Sequence, residues 1–234
     1  MKQLNRVSTG IKNLDTTIEG GYKEKSINLI EGGPGTGKSI FAMQYLVSGI
    51  RDHSEKGIYI TFEEERETLM DNMVNFKWDL QKLEADNKLE ILDISPLDVV
   101  NLVKKKSLGL KFEIVKKIQA KRIVIDSITA YSLLFEEGLI KKQALNELFK
   151  TLRTLDCTAL LIAERKVDID SIASEDLVDF QVDSIISVYN TRKSDIRERS
   201  MEVRKIRGTK NMPKIFPMRI SEKGVEIYPD GAVF

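Results

Sequence analysis

An α/β fold is predicted, with a mainly parallel central sheet flanked by helices and an antiparallel extension at its C-terminal end. Three features of the sequence predict it. Between residues 27 and 163, short apolar runs without polar alternation recur, each separated from the next by a segment of helical spacing. That is the pattern of a parallel sheet covered on both faces. A glycine-rich element, G-x-x-x-x-G-K-S, stands between the first of these runs and the first long helical segment. After residue 182 the helical segments stop and strand-like runs follow at short intervals, which antiparallel pairing permits.

Ile11, Leu14 and Ile18 recur at helical spacing between Gly10 and Gly20-Gly21, so a short helix is expected ahead of the first core strand. Ile27-Asn28-Leu29-Ile30-Glu31 is that strand. Beyond the glycine-rich loop, Phe41, Met43, Tyr45, Leu46 and Ile50 mark a helix, and Gly57–Phe62 a second strand. A helix through Leu69, Met70, Met73 and Phe76 leads to a third strand at Lys88–Asp93, closed by Ser95-Pro96. Residues 97–120 read as amphipathic helix with a break near Gly109, and Lys104-Lys105-Lys106 as a solvated face. Arg122–Asp126 and Thr158–Ala163 are further buried strands, separated by a helix over 141–155. Val182–Tyr189, Ser200–Ile206, Lys214–Ile220 and Val225–Tyr228 form the antiparallel group. With no low-complexity linker and no repeat, residues 1–234 are expected to form one domain.

Composition narrows the function. Lys and Arg number 37 against 36 Asp and Glu, so no overall field draws the chain to nucleic acid or membrane. There is no secretory signal and no apolar run approaching about 18 residues, so a cytoplasmic protein without membrane contact is expected. The single cysteine, Cys157, cannot form an internal disulfide and reads as packing beside an apolar strand. His53 is the only histidine, which argues against a histidine metal site or a Ser-His-Asp triad.

The stretch that carries chemistry is Gly32-Gly33-Pro34-Gly35-Thr36-Gly37-Lys38-Ser39. A strand, a loop and a helix in this order suit a nucleoside triphosphate. The glycines let backbone N–H groups curl round the β-phosphate, and the new helix points its positive end at the anion. Gly33, Pro34, Gly35, Thr36, Gly37, Lys38, Ser39 and Ile40 are therefore the candidate ATP cradle. Lys38 supplies a mobile positive charge for the β/γ oxygens, and the Ser39 hydroxyl can hold Mg²⁺. Asp126 ends a buried strand, where an acid orders the metal through water; the competing account is a cap on the next helix. The presence of Ser39 favours the metal role.

Hydrolysis also needs a carboxylate beside the γ-phosphate to align water. Glu63 and Glu64 end the second strand, and successive side chains there point to opposite faces, so one reaches the nucleotide while the other supports it. With Glu65 and Glu67 they equally make an acidic first turn for the next helix, and the residues alone leave both accounts open. Between Asn190 and Lys210, eight Lys or Arg face three acids. Lys205 and Arg207 share one face of a strand that ends at Gly208 and could meet a phosphate across a subunit boundary. A strand edge decorated against aggregation is what spacing alone favours.

These residues together resemble the KaiC branch of the RecA-like ATPases over nearly the whole chain. The marks are Thr9-Gly10-Ile11, Leu14-Asp15, Gly20-Gly21, the phosphate loop, Thr61-Phe62-Glu63-Glu64, Phe76-x-Trp78-Asp79-Leu80, Ile91-Leu92-Asp93-x-Ser95-Pro96, Ile125-Asp126-Ser127, Glu164-Arg165 and Lys205-x-Arg207-Gly208-Thr209. The resemblance implies a RecA-like P-loop NTPase fold, ATPase activity with ATP and Mg²⁺, and Glu63 and Glu64 as the catalytic acids. It also implies that Lys205 and Arg207 reach the γ-phosphate of a neighbouring subunit in a ring, usually a hexamer. Clock members of that family carry two such domains, one of which autophosphorylates an adjacent Ser-Thr pair upstream of the K-x-R-G segment. Here one domain is legible, and Asp179-Phe180 stands at that place with no hydroxyl to accept a phosphate.

The function expected is a ring-forming, nucleotide-dependent regulatory or scaffolding switch, a homo-oligomer with an unidentified regulatory protein partner. The alternative is a RecA/RadA-like paralogue that uses ATP to bind single-stranded DNA in recombination or repair. Its DNA-binding loop would follow Ala163. Residues 165–182 hold Arg165 and Lys166 against Asp168, Asp170, Glu175, Asp176 and Asp179. That loop repels a phosphate backbone, and Phe180 is its sole aromatic for stacking, so nucleic acid is not favoured.

Overall fold

A computed structural model describes residues 5–104, 112–136, 138–166, 177–193 and 195–231. The first half runs β1 (Arg6–Val7), α1 (Leu14–Thr17), β2 (Tyr22–Lys23), β3 (Ile27–Gly32), α2 (Lys38–His53), β4 (Gly57–Thr61), α3 (Arg66–Asn72), α4 (Leu80–Ala85), β5 (Leu89–Asp93) and α5 (Pro96–Lys104). The second half runs α6 (Glu113–Lys117), β6 (Arg122–Asp126), α7 (Ile128–Leu133), α8 (Leu139–Thr154), β7 (Thr158–Glu164), α9 (Leu177–Gln181), β8 (Ser184–Lys193), β9 (Ile196–Ile206), β10 (Ile215–Ser221) and β11 (Gly224–Ile227).

Nine strands form one sheet in the order β11-β10-β9-β8-β3-β7-β6-β4-β5. From β8 to β5 all pairs are parallel; β8 through β11 pair antiparallel, as the change of pattern after residue 182 predicts. The central strands read as unbroken apolar runs because both faces are covered. All six residues of β3 and all five of β4 are buried. On one face α2, α3 and α4 pack with Ile30, Tyr59, Val124 and Leu160. On the other, α5 to α9 pack with Leu29, Ile60, Ile125 and Leu161.

Several elements differ from expectation. Residues 6–7 and 22–23 form a two-stranded ribbon beside the short first helix, too short to leave a periodic signal. The helix expected through Phe76 stops at Asn72. Phe76 stacks on Trp78 instead, with ring centroids 4.4 Å apart, and Asp79 caps the separate helix α4. Among the described residues of the 97–120 segment are the helices α5 and α6; Gly109 lies outside them. The helices α7 and α9 are short and were not legible. The antiparallel strands β8 and β9 run longer than expected, because their outer halves extend as a polar ribbon past the apolar stretch.

One buried charge fastens α2 to the sheet. Arg122, 1% exposed, starts β6 beneath α2. It donates to the carbonyls of Ser8 and Tyr45 at 2.9 and 2.8 Å, pairs with Glu55, and lies 4.6 Å from the Tyr45 ring centroid. Gly49 is what admits it: a Cβ there would stand 2.2 Å from the Arg122 Nε.

Among the described residues no helix is long and apolar enough to cross a membrane. Cys157 is buried, and burial pushes its thiol up to about 12. At pH 8 the reactive thiolate is then on the order of one part in ten thousand. Alkylation of the native protein by iodoacetamide should therefore stay negligible up to pH 9 and reach one equivalent only in denaturant. Rapid labelling of the folded protein would overturn the assignment of Cys157 as inert packing.

Candidate active site

The parallel register sets Gly32 opposite Glu164 and Val188, and Thr61 opposite Asp126, all at the carboxyl end of the sheet. In an open α/β sheet, ligands bind at this end. The loop from Gly32 to Gly37 rises from β3 and enters α2 through Gly37, whose φ of 102° is open to glycine and strained for most other residues. No side chain caps α2 and no acid stands in its first turn, so its leading N–H groups are presented to an incoming anion. Thr36 ties the loop together by donating to the Gly33 carbonyl at 2.9 Å.

Lys38 is 6% exposed, and its amine lies 3.0 Å from the Gly33 carbonyl and 3.5 Å from a Glu164 oxygen, folded over the loop it would serve. Ser39 donates to Asp126 Oδ2 at 3.0 Å, joining the first turn of α2 to the end of β6. The cap on α7 is Ser127, which accepts from the Ala130 N–H at 3.0 Å. Asp126 is therefore not the helix cap. Burial raises its pKa, while hydrogen bonds from Tyr59 and Ser39 oppose the shift. A donor set of hydroxyl and carboxylate oxygen suits a hard cation such as Mg²⁺. Among the described residues no cluster of His, Cys, Asp or Glu could hold a metal by itself, so such a cation would draw further ligands from phosphate and water.

The two glutamates stand outside α3, in a turn organised by Thr61. Its hydroxyl accepts from the N–H groups of Glu63 and Glu64 at 3.3 and 3.0 Å and donates to the Glu64 carbonyl. The acidic first turn of α3 is supplied by Glu67, with Glu65 at the N-cap position, and Glu63 and Glu64 precede it. The expected extended segment stops at Thr61, so the two side chains are placed by this turn and not by strand alternation. Glu63 accepts from the Ser127 hydroxyl at 3.0 Å, next to Asp126. Burial raises the pKa of Glu63, with Ser127 opposing and Asp126 and Glu164 adding to the rise. Glu64 has Asn72 3.5 Å away, and its charge adds to the rise in pKa at Asp126.

Lys205 and Arg207 are not brought to this cluster. Ile206 pairs with Ser184, which pairs with Asn28 at the amino end of β3, whereas the level of Gly32 is reached at Met201. Five residues of strand, roughly 15 Å, separate the levels. The Lys205 amine donates to the Asp179 carbonyl at 2.6 Å, and Arg207 to the Phe180 carbonyl at 2.7 Å. Both reach α9, but β9 ends at Ile206 and Arg207 stands in the turn beyond it, so the two do not share a strand face as their spacing predicts. Burial lowers the pKa of Lys205, with Arg207 adding to the shift.

Sequence reasoning missed residues that shape the loop. Arg199 of β9 donates through Nε and Nη2 to the Gly35 carbonyl at 3.3 and 3.2 Å, and Ile220 packs on Gly37. The basic run signalled Arg199, but not which of its eight cations would face the loop. Glu31, fully buried one residue before Gly32, accepts from Arg165 at 3.1 Å, from Ser187 at 2.7 Å and from Arg204. Arg165 also pairs with Asp179 at 2.6 Å, so among the described residues two carboxylates meet two guanidinium groups under the phosphate loop. Breaking a buried pair from one side costs about 3 kcal/mol. Glu31→Gln should lower stability by about that amount in urea unfolding, and adding Arg204→Met should return part of it. An unchanged midpoint would show the quartet to be idle.

Comparison with known proteins sets this geometry in context. The family model described as ATPase: KaiC matches residues 7–232. The circadian clock oscillator protein KaiC of Prochlorococcus marinus subsp. pastoris is 34% identical over 241 residues, covering 99% of this chain and 46% of that protein. Its counterpart in Synechococcus elongatus is 30% identical, covering 97% and 45%. The crystal structure of a KaiC-like protein from Pyrococcus horikoshii OT3 matches with a TM-score of 0.85 at 32% identity, covering 97% of this chain and all of that one. The chain spans about half the length of the curated relatives it matches.

Proposed function

Because the chain belongs to the KaiC ATPase family, we propose that residues 1–234 act as one catalytic unit that binds and hydrolyses MgATP at the interfaces of a homo-oligomeric ring. The observation that carries this reading is the division of the site between the two ends of the sheet. Gly33–Ile40, Asp126 and Glu63 converge at the carboxyl end, whereas Lys205 and Arg207 lie at the other end and cannot reach the phosphates of their own chain. Cations that act on phosphate from there must act on the nucleotide of another copy. The closed arrangement is a ring, with six subunits the number the family resemblance favours.

In the proposed reaction the loop amides and Lys38 hold the β- and γ-phosphates. Mg²⁺, held by Ser39 and ordered by Asp126, would neutralise phosphate charge. Glu63 is the better placed of the two glutamates to orient water, since Ser127 fixes it beside Asp126; Glu64 supports the turn. The water oxygen forms a bond to the γ-phosphorus as the bridging β–γ P–O bond breaks. The electron pair leaves with ADP, and the water proton passes to the Glu63 carboxylate. Lys205 and Arg207 of the adjacent copy offset charge on the transferring group. Such a site reports its nucleotide to the interface it shares, which suits a cytoplasmic switch or scaffold for a regulatory protein partner. The alternative loop for DNA falls largely on residues 167–176, outside those described, and its acidic sequence stands against that reading.

The test uses three variants, two of them defective in different halves of the site. Lys38→Ala should abolish nucleotide binding. Arg207→Ala should keep binding but lose hydrolysis by about 10³-fold, as loss of an arginine finger does. Glu63→Gln/Glu64→Gln should also lose hydrolysis. Mixed under conditions in which subunits exchange, the latter two should regain part of the activity. Interfaces then pair the sound glutamates of one variant with the sound finger of the other. If subunits exchange and every mixture stays inactive, the neighbour-completed site is wrong.

A further inference from the structure

Tyr59 occupies the middle of β4 and is fully buried on the face that packs against α2. Its hydroxyl donates to Asp126 Oδ2, the same oxygen that receives the Ser39 hydroxyl at 3.0 Å. An ionised carboxylate only accepts, so both hydroxyls are donors and both protons are committed to one atom. Two consequences follow from that arrangement. The carboxylate of Asp126 is held in one rotation by donors from two different elements, β4 and α2. The Ser39 hydroxyl, having spent its only proton on Asp126, turns its lone pairs away from the carboxylate, where a cation can take one.

We infer that Tyr59 is a positioning residue for the metal side of the nucleotide site: its hydroxyl fixes the Asp126 carboxylate, which in turn orients the Ser39 hydroxyl for Mg²⁺. The inference rests on the proposed MgATP reading of the phosphate loop. The simpler account is that a buried tyrosine hydroxyl needs some partner and Asp126 happens to supply it. The two accounts part at the metal. Groups that orient metal ligands change metal affinity about 10–100-fold when removed. A hydroxyl that merely satisfies itself should alter stability and leave metal affinity alone. Phenylalanine keeps the ring and removes only the donor.

The experiment measures binding, not turnover, on the full chain. A fluorescent N-methylanthraniloyl ADP is titrated by anisotropy in EDTA and in Mg²⁺, and Mg²⁺ is titrated at fixed nucleotide. The proteins are the wild type, Tyr59→Phe, Asp126→Asn and the double variant, each checked for a cooperative thermal melt. Tyr59→Phe should leave affinity in EDTA within twofold of the wild type and weaken the Mg²⁺ half-saturation by tenfold or more. In the Asp126→Asn background the same change should have no further effect on Mg²⁺, because the path runs through that carboxylate. A well-folded Tyr59→Phe protein with wild-type Mg²⁺ dependence overturns the inference. So does an equal loss of Mg²⁺ affinity with and without Asp126. A wild type whose nucleotide affinity is the same in EDTA and Mg²⁺ would overturn the Ser39–Asp126 metal reading itself, and this inference with it. A wild type that binds no nucleotide would overturn the phosphate-loop reading.

Discussion

Everything gathered at the loop end of this sheet follows from the parallel pairing of β3, β7, β6 and β4 in one register. That pairing brings Gly32, Glu164, Asp126 and Thr61 to the same end of the sheet, although more than a hundred residues separate the first of them from Glu164. The register is held by burial on both faces. Moving β3 by one residue would turn Leu29 and Ile30 to each other's faces and take Glu31 from its two guanidinium partners into the apolar packing under α2. Glu31 thus makes the correct pairing distinct from its neighbours more than it adds net stability, since a buried ion pair is a poor source of stabilisation by itself.

Much of this was legible in the sequence because it rests on local regularity. Apolar runs marked β3, β4, β5, β6 and β7, and the glycine pattern of residues 32–39 marked the phosphate loop with its helix; β8 was visible as a strand, but not its parallel pairing with β3. The antiparallel group after residue 182 was also visible, since short turns leave little choice of pairing. Long-range and side-chain relations were not legible. Nothing in the spacing of Arg122 marks it as buried, because its partners are carbonyl groups of Ser8 and Tyr45 that come from other elements. The quartet of Glu31, Arg165, Arg204 and Asp179 joins four elements and leaves no periodic trace. Glu63 and Glu64 could not be told apart by sequence, since the hydroxyl that Glu63 accepts from belongs to Ser127, 64 residues away in the chain. Short helices such as α7 and α9 hold too few turns to build a pattern.

A register shift in the β8–β9 ladder between Ile185 and Ile186 bears on the two cations near the end of β9. Lys205 pairs with Ile185 and Val203 with Ile186, so Arg204 is the extra residue. Such a bulge re-aims side chains. Arg204 turns to Glu31 under the phosphate loop, while Lys205 and Arg207 reach the carbonyl groups that end α9. In the proposed ring, these cations would exchange those carbonyl groups for phosphate oxygens of the neighbouring copy. Asp179 belongs both to α9 and to the quartet beneath the chain's own loop, so the exchange and the loop share one helix.

The first and last described segments of the chain are built into each other. Asn13 donates to the carbonyl of Ile227, Lys12 pairs with Glu226, and Gln44 of α2 bonds both the Gly10 carbonyl and the backbone of Val225. Ile11, Leu14 and Ile18 are buried in the same cluster as Phe216, Val225 and Ile227. During synthesis, therefore, one side of α2 has no complete cover until residue 227 has left the ribosome. Closing contacts across more than two hundred residues is slow relative to local helix formation. A nascent chain that already displays β3, its loop and α2 would hold an open apolar surface until β10 and β11 emerge to cover it.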